Sequence, residues 1–178
     1  MHLSLFLFII NFQTCASQPL NLTEGFISLP LNQSNLIIQR PYDVPEDQRY
    51  SFIDGVHKLF INGVHKLWVY CTDKPHTPPS KTKPRTEIRI HCILPVLQFE
   101  GYGYVPNGTY GVCIMQVFGA RSQATTLAFT LNNDGVLKYE AAGHGEKTHY
   151  FKCRVYAQRN NSYYMESRWK EIKVFKKC

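Results

Sequence analysis

The sequence predicts an all-β protein, built as an antiparallel β-sandwich or jelly roll. Short segments rich in aromatic and β-branched residues recur along the chain, and Gly, Pro, Asn and Asp separate them. No long amphipathic helix stands out, so no helical crossover would join one strand to the next. Many short strands without such crossovers are typical of sandwiches and jelly rolls.

The predicted strands and turns follow one another along the chain. A stretch at 73–84 holds four prolines and three lysines, which predicts a surface loop ahead of the next strand. The dipeptide Asn-Gly at 107–108 and the stretch NNDG at 132–135 are turn signals. The clearest strand segments are KLWVY at 66–70, RTEIRIH at 85–91, VCIMQVF at 112–118, YFKCRVYAQ at 150–158 and EIKVFKK at 171–177.

The first 17 residues predict a signal peptide. An apolar run from Leu3 to Phe12 is too short to span a bilayer, and the small residues Ala16 and Ser17 follow it. We therefore expect a single mature domain over 18–178, with no membrane span once the signal is removed. The secretory pathway would carry it to the cell exterior and wall, or to a vacuole. The alternative is a buried N-terminal strand.

Sequons and cysteines agree with an exported glycoprotein. Four Asn-X-Ser/Thr sequons begin at Asn21, Asn32, Asn107 and Asn160. Removal of Cys15 with the signal peptide leaves an odd number of cysteines, so at least one thiol is unpaired or intermolecular. The Cys and His spacings match no zinc pattern, and we expect no metal and no cofactor.

The charge of the chain indicates its class of partner. A formal net charge of +7 favours anions by long-range attraction. An exported, glycosylated chain meets acidic polysaccharides and organic acids more often than nucleic acid, so we expect no nucleic-acid partner. Nothing in the strands predicts an oligomer, and we expect a monomer, although the odd cysteine permits a linked dimer.

One octapeptide is duplicated in tandem. FIDGVHKL at 52–59 is followed at once by FINGVHKL at 60–67. Two copies are too few for a repeat architecture. Because eight is an even number, the insertion preserves the inside and outside alternation downstream where it is absorbed as extended chain or as a hairpin.

Alternation along three predicted strands collects polar side chains that could hold an anion. Successive side chains of an extended strand point to opposite faces. We expect Glu87 to hold the guanidinium groups of Arg85 and Arg89, which leaves their remaining donors for a ligand carboxylate. The residues that share a polar face are Arg85, Glu87 and Arg89 on the first strand, Gln116 and Phe118 on the second, and Lys152, Arg154, Tyr156 and Gln158 on the third.

Two cysteines fall on the opposite, core-facing side of these strands. Cys113 lies three residues before Gln116, and Cys153 lies three residues before Tyr156. If the two strands are near neighbours, the two thiols could form a disulfide. Buried free thiols are the alternative, because a disulfide requires closely matched geometry.

Three segments occur in the order of the signature motifs of a known family. RTEIR, the Gln-Val-Phe triplet at 116–118 and YFKCRVYAQ resemble those of polysaccharide lyase family seven, the alginate-lyase-type, concanavalin-like jelly roll. The stretches QFEGYGYVPNGTYGVCIMQVFGA at 98–120 and SYYMESRWKEIKVFKK at 162–177 are similar to its plant branch of citrate-binding proteins. The resemblance covers most residues from 25 to 177.

The resemblance implies a chemistry and a set of roles. The reaction would be β-elimination on a uronate polymer, in which a developing carboxylate-conjugated anion must be stabilised. Arg85 and Gln116 would neutralise the carboxylate, and Tyr156 would serve as general acid and also as base. Lys152 and Gln158 would line the groove.

Two departures from the family pattern count against turnover, and two more concern the fold. Phe118 stands where the enzymes have His, and it can neither donate nor accept a proton. Arg154 stands where the family has a small Gly, so its side chain would project into the groove. The segments at 92–97 and 128–133 replace several family strands, which predicts an internal deletion and an incomplete sheet.

The sequence therefore predicts a secreted binding protein rather than an enzyme, which holds citrate or an acidic polysaccharide in a basic groove. One alternative is a polysaccharide lyase that cleaves a polyuronate with Tyr156 as the only acid and base. Another is a degenerate paralogue that folds weakly. The predicted ligand-binding residues are Arg85, Glu87, Arg89, Gln116, Lys152, Arg154 and Gln158.

Overall fold

A computed structural model describes residues 5–11, 24–53, 63–90, 97–119, 125–132, 134, 136–141 and 149–177. This part of the chain holds β-strands and two short 3-10 turns, at Gln33–Asn35 and Glu46–Gln48. Within it, no helix has the length and apolar character needed to cross a membrane. The strands are β1 Leu5–Asn11, β2 Phe26–Leu29, β3 Leu36–Gln39, β4 Tyr50–Ile53, β5 Val64–Tyr70, β6 Arg85–Ile90, β7 Leu97–Tyr104, β8 Val112–Gly119, β9 Thr125–Leu131, β10 Leu137–Ala141, β11 His149–Ala157 and β12 Tyr164–Lys177.

The strands form two sheets of six strands each. Sheet A has the order β1-β7-β12-β5-β4, with β2 also paired to β12. Sheet B has the order β10-β9-β8-β11-β6-β3. Every pairing between these strands is antiparallel. The predicted all-β class and the antiparallel sandwich of jelly-roll type are confirmed.

Apolar side chains from both sheets fill the space between them. Phe99 of β7 and Trp169 of β12 meet Phe151 of β11 in the core. The ring centroid of Phe99 is 5.3 Å from that of Phe151 and 6.2 Å from that of Trp169. Cys153 and Val155 of β11 are fully buried beside them. Because side chains alternate along β11, the residues between these positions point away from the core.

Two side-chain hydrogen bonds join the sheets beneath the predicted site. The Thr86 hydroxyl of β6 donates to the Trp68 carbonyl of β5 over 2.9 Å. The Ser167 hydroxyl of β12 donates to the Arg154 carbonyl of β11, also over 2.9 Å. Both hydroxyl-bearing residues are buried. They hold β6 and β11, which carry most of the predicted site, against sheet A.

The duplicated octapeptide spans a pair of neighbouring strands. The first copy begins in β4 with Phe52, and the second copy ends in β5 with Leu67. β4 and β5 pair antiparallel, with Phe52 opposite His65. Leu67 and Val69 are fully buried, so the alternation of β5 is kept. Residues 54–62 lie outside the described residues.

The strand β1 lies within the predicted signal peptide. It pairs with β7 along its whole length, from Leu5 opposite Tyr104 to Asn11 opposite Gln98. The signal peptide over 1–17 stays a prediction. Its removal would leave β7 as an edge strand of sheet A.

Strands were expected to be missing at 92–97 and at 128–133. Sheet B is continuous through the second of these segments. β9 pairs with β8 on one side and with β10 on the other, and the predicted turn at 132–135 lies between β9 and β10. Of the other segment, only Leu97 lies within the described residues, where it begins β7. The internal deletion stays a prediction.

Candidate functional site

A groove of about 730 Å³ lies on the outer face of sheet B. This volume is within the range of about 300–1,000 Å³ that small-molecule sites occupy. Among the described lining residues, four are cationic and none is acidic. The lining comprises Gln39 of β3, Arg85 and Arg89 of β6, Gln116, Phe118 and Gly119 of β8, Thr125 of β9, Tyr150, Lys152, Arg154 and Tyr156 of β11, and His76, Thr77, Ser80 and Thr82 of the loop 71–84.

The register of β11 brings the polar faces of three strands together. β11 is paired with β6 on one side and with β8 on the other. Lys152 therefore lies opposite Arg89 of β6 and opposite Gln116 of β8. Directly opposed residues on neighbouring strands have Cβ atoms about 4.5–5.5 Å apart. Side chains that are up to 71 positions apart along the chain, as Arg85 and Tyr156 are, thus converge on one surface.

Glu87 lies below the groove and is fully buried. Its carboxylate accepts a hydrogen bond from Lys152 Nζ at 2.9 Å and pairs with Arg154 Nη2 at 3.1 Å. Burial alone would raise the pKa of Glu87, but the charges of Arg154 and Lys152 outweigh it and lower that pKa. The carboxylate is therefore ionised and neutralises cations of β11.

The expected partners of Glu87 were Arg85 and Arg89 on its own strand. Within the described residues, neither arginine makes a hydrogen bond or an ion pair, and the Nε atom of each is buried without a partner. Residues two apart on a strand are about 6.6 Å apart, whereas Arg154 lies directly across from Glu87 on β11. Arg154 is therefore the closer neighbour of Glu87, and the long side chain of Lys152 reaches the carboxylate from the diagonal position opposite Arg89.

Aromatic rings support the cations. The guanidinium of Arg89 lies 3.9 Å from the ring centroid of Tyr150, and that of Arg85 lies 4.5 Å from that of Tyr156. Lys152 Nζ lies 4.5 Å from the ring centroid of Phe118. A ring face attracts a cation without neutralising its charge. These charged groups are therefore held in place and still attract an anion.

Gln116 is held by two partners. Its side-chain oxygen accepts a hydrogen bond from Arg154, and its amide nitrogen donates to the Thr125 hydroxyl over 2.6 Å. This leaves one amide hydrogen for a ligand. Arg154, which was expected to project into the groove, lines it but is almost fully buried.

His76 is a titratable groove residue that the sequence did not indicate. It comes from the loop 71–84, which was expected only to lie at the surface. Its Nδ1 atom is buried and has no hydrogen-bond partner within the described residues. Burial lowers the pKa of His76, and the positive charges of Arg85, Lys152 and Arg154 lower it further. A single His in a Pro-rich stretch does not indicate a binding residue, because the position of a loop depends on contacts with residues that are distant in sequence.

Gln158 lies at the end of the predicted polar face. Its amide nitrogen donates to the carbonyls of Tyr156 and Ala157, at 3.2 and 3.1 Å. It is absent from the described lining of the groove. The other predicted polar-face residues of β11 all line it, and Tyr156 lies between Arg85 and Arg154.

Of the two alternatives for the cysteines, the structure shows buried free thiols and not the disulfide. Cys113 and Cys153 are both free and buried. Cys153 faces the core, but the pairing of β8 shifts register between Cys113 and Met115. This irregularity changes the phase of the alternation, and the Cys113 thiol interacts with Arg154 on the groove side of the sheet. The two thiols therefore lie on opposite faces.

Comparison with known proteins places the chain in a family. It is 39% identical over 203 residues to the citrate-binding protein of Hevea brasiliensis, and the match covers 91% of this chain and 81% of that protein. The chain belongs to the citrate-binding protein family. No family model matches it. No solved structure matches it. The wider resemblance to polysaccharide lyase family seven stays a prediction.

In this member of the citrate-binding protein family, the groove cations fall into two pairs. Lys152 and Arg154 share the buried carboxylate of Glu87. Arg85 and Arg89 have only ring contacts within the described residues. Guanidinium groups present paired donors that match a carboxylate. Arg85 and Arg89 are therefore the side chains best prepared to bind an external anion.

Proposed function

We propose that the protein binds citrate in the sheet B groove and releases it unchanged. The observation that carries this proposal is the state of Arg85 and Arg89, which line the groove without an ion pair from the described residues. A carboxylate ligand would supply the missing acceptors. The relative from Hevea brasiliensis, whose name is citrate-binding protein, supports citrate as the ligand.

The charge of the site suits a tricarboxylate. Four cationic side chains line the groove, and Glu87 below it neutralises one of them. The excess of positive charge therefore equals the charge of fully ionised citrate. Hydroxyl groups of Thr77, Ser80 and Thr82 on the loop side offer donors for the remaining oxygens of the ligand.

Isothermal titration calorimetry of the purified chain with citrate tests the proposal. Arg85→Ala should weaken binding tenfold or more, because a hydrogen bond to a charged group contributes about 1.5–3 kcal/mol. Arg168→Ala is the matched control, because Arg168 is a half-buried cation of sheet A that lies outside the groove. The affinity of this variant for citrate should equal that of the wild type. Equal affinity of Arg85→Ala and wild type would rule out this site.

Thermal unfolding with and without citrate is the companion measurement. A ligand that binds only the folded state stabilises it by about 2.7 kcal/mol at a hundred times its dissociation constant. We expect a cooperative transition that moves to higher temperature with citrate. A chain that unfolds without a cooperative transition would instead be the degenerate paralogue.

A polyuronate lyase is the second candidate, and His76 is the observation that favours it. Phe118 offers no proton carrier, but His76 and Tyr156 both line the groove. One could remove the C5 proton of a uronate while the other protonates the leaving oxygen. Incubation with acidic polymers would then raise the absorbance of unsaturated uronate products, and Tyr156→Phe would abolish the rise. Competition by a polyuronate against citrate, without product, would identify an acidic polysaccharide as a ligand only.

We further propose that the protein travels the secretory pathway as a glycoprotein. The described sequon residues Asn32, Asn107 and Asn160 are exposed to solvent, as a glycan acceptor must be. Asn21 lies outside the described residues. Expression in a plant cell should give a chain that begins near Gln18 and loses mass on treatment with an N-glycosidase. An intact Met1 would contradict the signal peptide.

A further inference from the structure

His76 is held at the groove by its neighbours in the loop 71–84. The amide of Tyr42 donates to the Pro75 carbonyl over 3.0 Å, and the amide of Ser80 donates to the Thr77 carbonyl over 2.9 Å. Asp73, at the start of the loop, accepts two hydrogen bonds of 2.7 Å from Arg49. These contacts fix the backbone on both sides of His76, so the imidazole has a defined position against the cations of the groove.

The imidazole is incompletely satisfied in the empty groove. Its Nδ1 atom is buried and has no partner within the described residues. Leaving a buried polar atom without a hydrogen bond is unfavourable, so native structures rarely do so without a functional reason. A ligand that supplies an acceptor at this place would allow the nitrogen to carry a proton and donate it.

Burial and the charges around His76 favour the neutral form of its ring. β6 contributes Arg85 and the buried Glu87, and β11 contributes Lys152 and Arg154. The described lining residues of β3, β8 and β9 carry no charge. Burial and the three cations all lower the pKa of His76, and only Glu87 opposes them. An anion with several carboxylates would reverse the sign of this field and raise the pKa.

We propose that His76 is a proton-carrying contact of this groove, which takes up one proton as citrate binds and so makes binding tighter as the pH falls. The inference rests on the proposed function of the groove. The proton comes from solvent or buffer and joins the free imidazole nitrogen, and no bond of citrate is formed or broken. The resulting imidazolium donates a hydrogen bond to a citrate carboxylate.

The direction of the effect follows from the two states of the ring. Binding takes up a proton only between the pKa of His76 in the empty groove and its higher pKa in the complex. The empty-groove value lies below the ordinary histidine value of about 6.5. Within that window the His76 proton by itself contributes about a tenfold rise in affinity for each pH unit of acidification, and the titration of citrate adds its own pH dependence, which is the same in all variants. At higher pH the ring stays neutral in both states and the dependence disappears.

Calorimetry in buffers with different enthalpies of ionisation measures this proton directly. The slope of the observed binding enthalpy against the buffer enthalpy gives the number of protons taken up per citrate. Citrate also titrates in mildly acidic solution, but that contribution is common to all variants. At about pH 6, close to the histidine range, wild type should take up a larger fraction of a proton than His76→Gln. Lys81→Gln, a change at an exposed residue of the same loop, should behave as wild type.

The outcomes separate the two proposals. Citrate binding with equal proton uptake in wild type and His76→Gln would overturn the role of His76 and leave citrate binding intact. No binding to the wild type would overturn the proposed function and this inference with it. Titration of the His76 Cε1 proton by NMR in the wild-type chain provides a measurement without any substitution. Its midpoint should lie at higher pH with citrate, and an unmoved midpoint would also overturn the inference.

Discussion

The described part of the chain contains two buried carboxylates with similar surroundings, one in each sheet. Glu87 of sheet B pairs with Lys152 and Arg154, whose side chains are 6% and 1% exposed. Glu166 of sheet A pairs with Lys66 at 3.2 Å and with Arg168 at 2.5 Å, whose side chains are 28% and 42% exposed. Each carboxylate is almost fully buried and joins two cations.

The two clusters differ in whether cations without an ion pair lie beside them. Glu166 also accepts a hydrogen bond from the Tyr164 hydroxyl, and both of its side-chain oxygens have partners. The groove around Glu87 adds Arg85 and Arg89, which have no ion pair within the described residues. A basic residue on a sheet therefore indicates a ligand only where the protein itself has not neutralised it. By this criterion the Glu166 cluster is structural, whereas the sheet B groove is the candidate binding site.

The largest expected difference between the two clusters is the loss of stability when each carboxylate is removed. Glu87→Gln leaves two buried cations without a counter-charge and should lower the free energy of unfolding by about 3–5 kcal/mol. Glu166→Gln should cost less, about 1–3 kcal/mol, because Lys66 and Arg168 can turn to water. Urea unfolding of both variants and wild type measures the difference. Equal losses would contradict the distinction between buried and solvated partners.

Acidification should reproduce part of the loss of stability expected for Glu87→Gln, without a substitution. The pKa of Glu87 is lower in the folded protein than in the unfolded chain, because the charges of Arg154 and Lys152 outweigh the effect of burial. The unfolded state therefore takes up the proton first. The stabilisation is present above the ordinary Glu pKa of about 4.3 and is lost as the pH falls below it.

A series of urea unfolding curves at decreasing pH tests this behaviour. Wild type should lose stability most steeply in acid, whereas Glu87→Gln and Glu166→Gln should each lose less, because the pKa of each carboxyl is lowered in the folded protein and its contribution is absent from the variant. A parallel decline in all three proteins would mean that other carboxyl groups dominate acid unfolding.

The smallest expected effect concerns the rings beneath the cations. Phe118→Leu removes the aromatic face under Lys152, which contributes about 0.5–1 kcal/mol, so citrate affinity should fall by a factor of about two to five. Tyr104→Leu removes the ring under Arg168, 5.6 Å away in sheet A, and should leave citrate affinity unchanged. Calorimetry of both variants is the measurement, and a loss of affinity in Tyr104→Leu would contradict the division between the sheets.

The predictable part of the site consists of positions on regular strands. Arg85 and Arg89 on β6, and Lys152, Arg154 and Tyr156 on β11, line the groove, and a period of two along each strand places them on one face. The order of the segments and their resemblance to a known family indicated that these strands belong together. The register that aligns Lys152 with Arg89 required the structure.

The departures from expectation arise from an irregular pairing, from a neighbour across the sheet and from a loop. Cys113 changes face because the pairing of β8 shifts register between it and Met115. Glu87 binds across the sheet because Arg154 on β11 is its direct neighbour. His76 reaches the groove because contacts with Tyr42 and Arg49 place its loop. None of these contacts is local in sequence.

The sequence by itself determined the all-β class, the strands that carry the cations and the face on which each cation lies, because local alternation and strand propensity govern these features. The tertiary structure alone decided which cations Glu87 neutralises, which remain for a ligand and which loop residue joins them. Those outcomes depend on cross-strand register and on the packing of one loop, where distances of a few ångströms between residues far apart in sequence set the electrostatic balance.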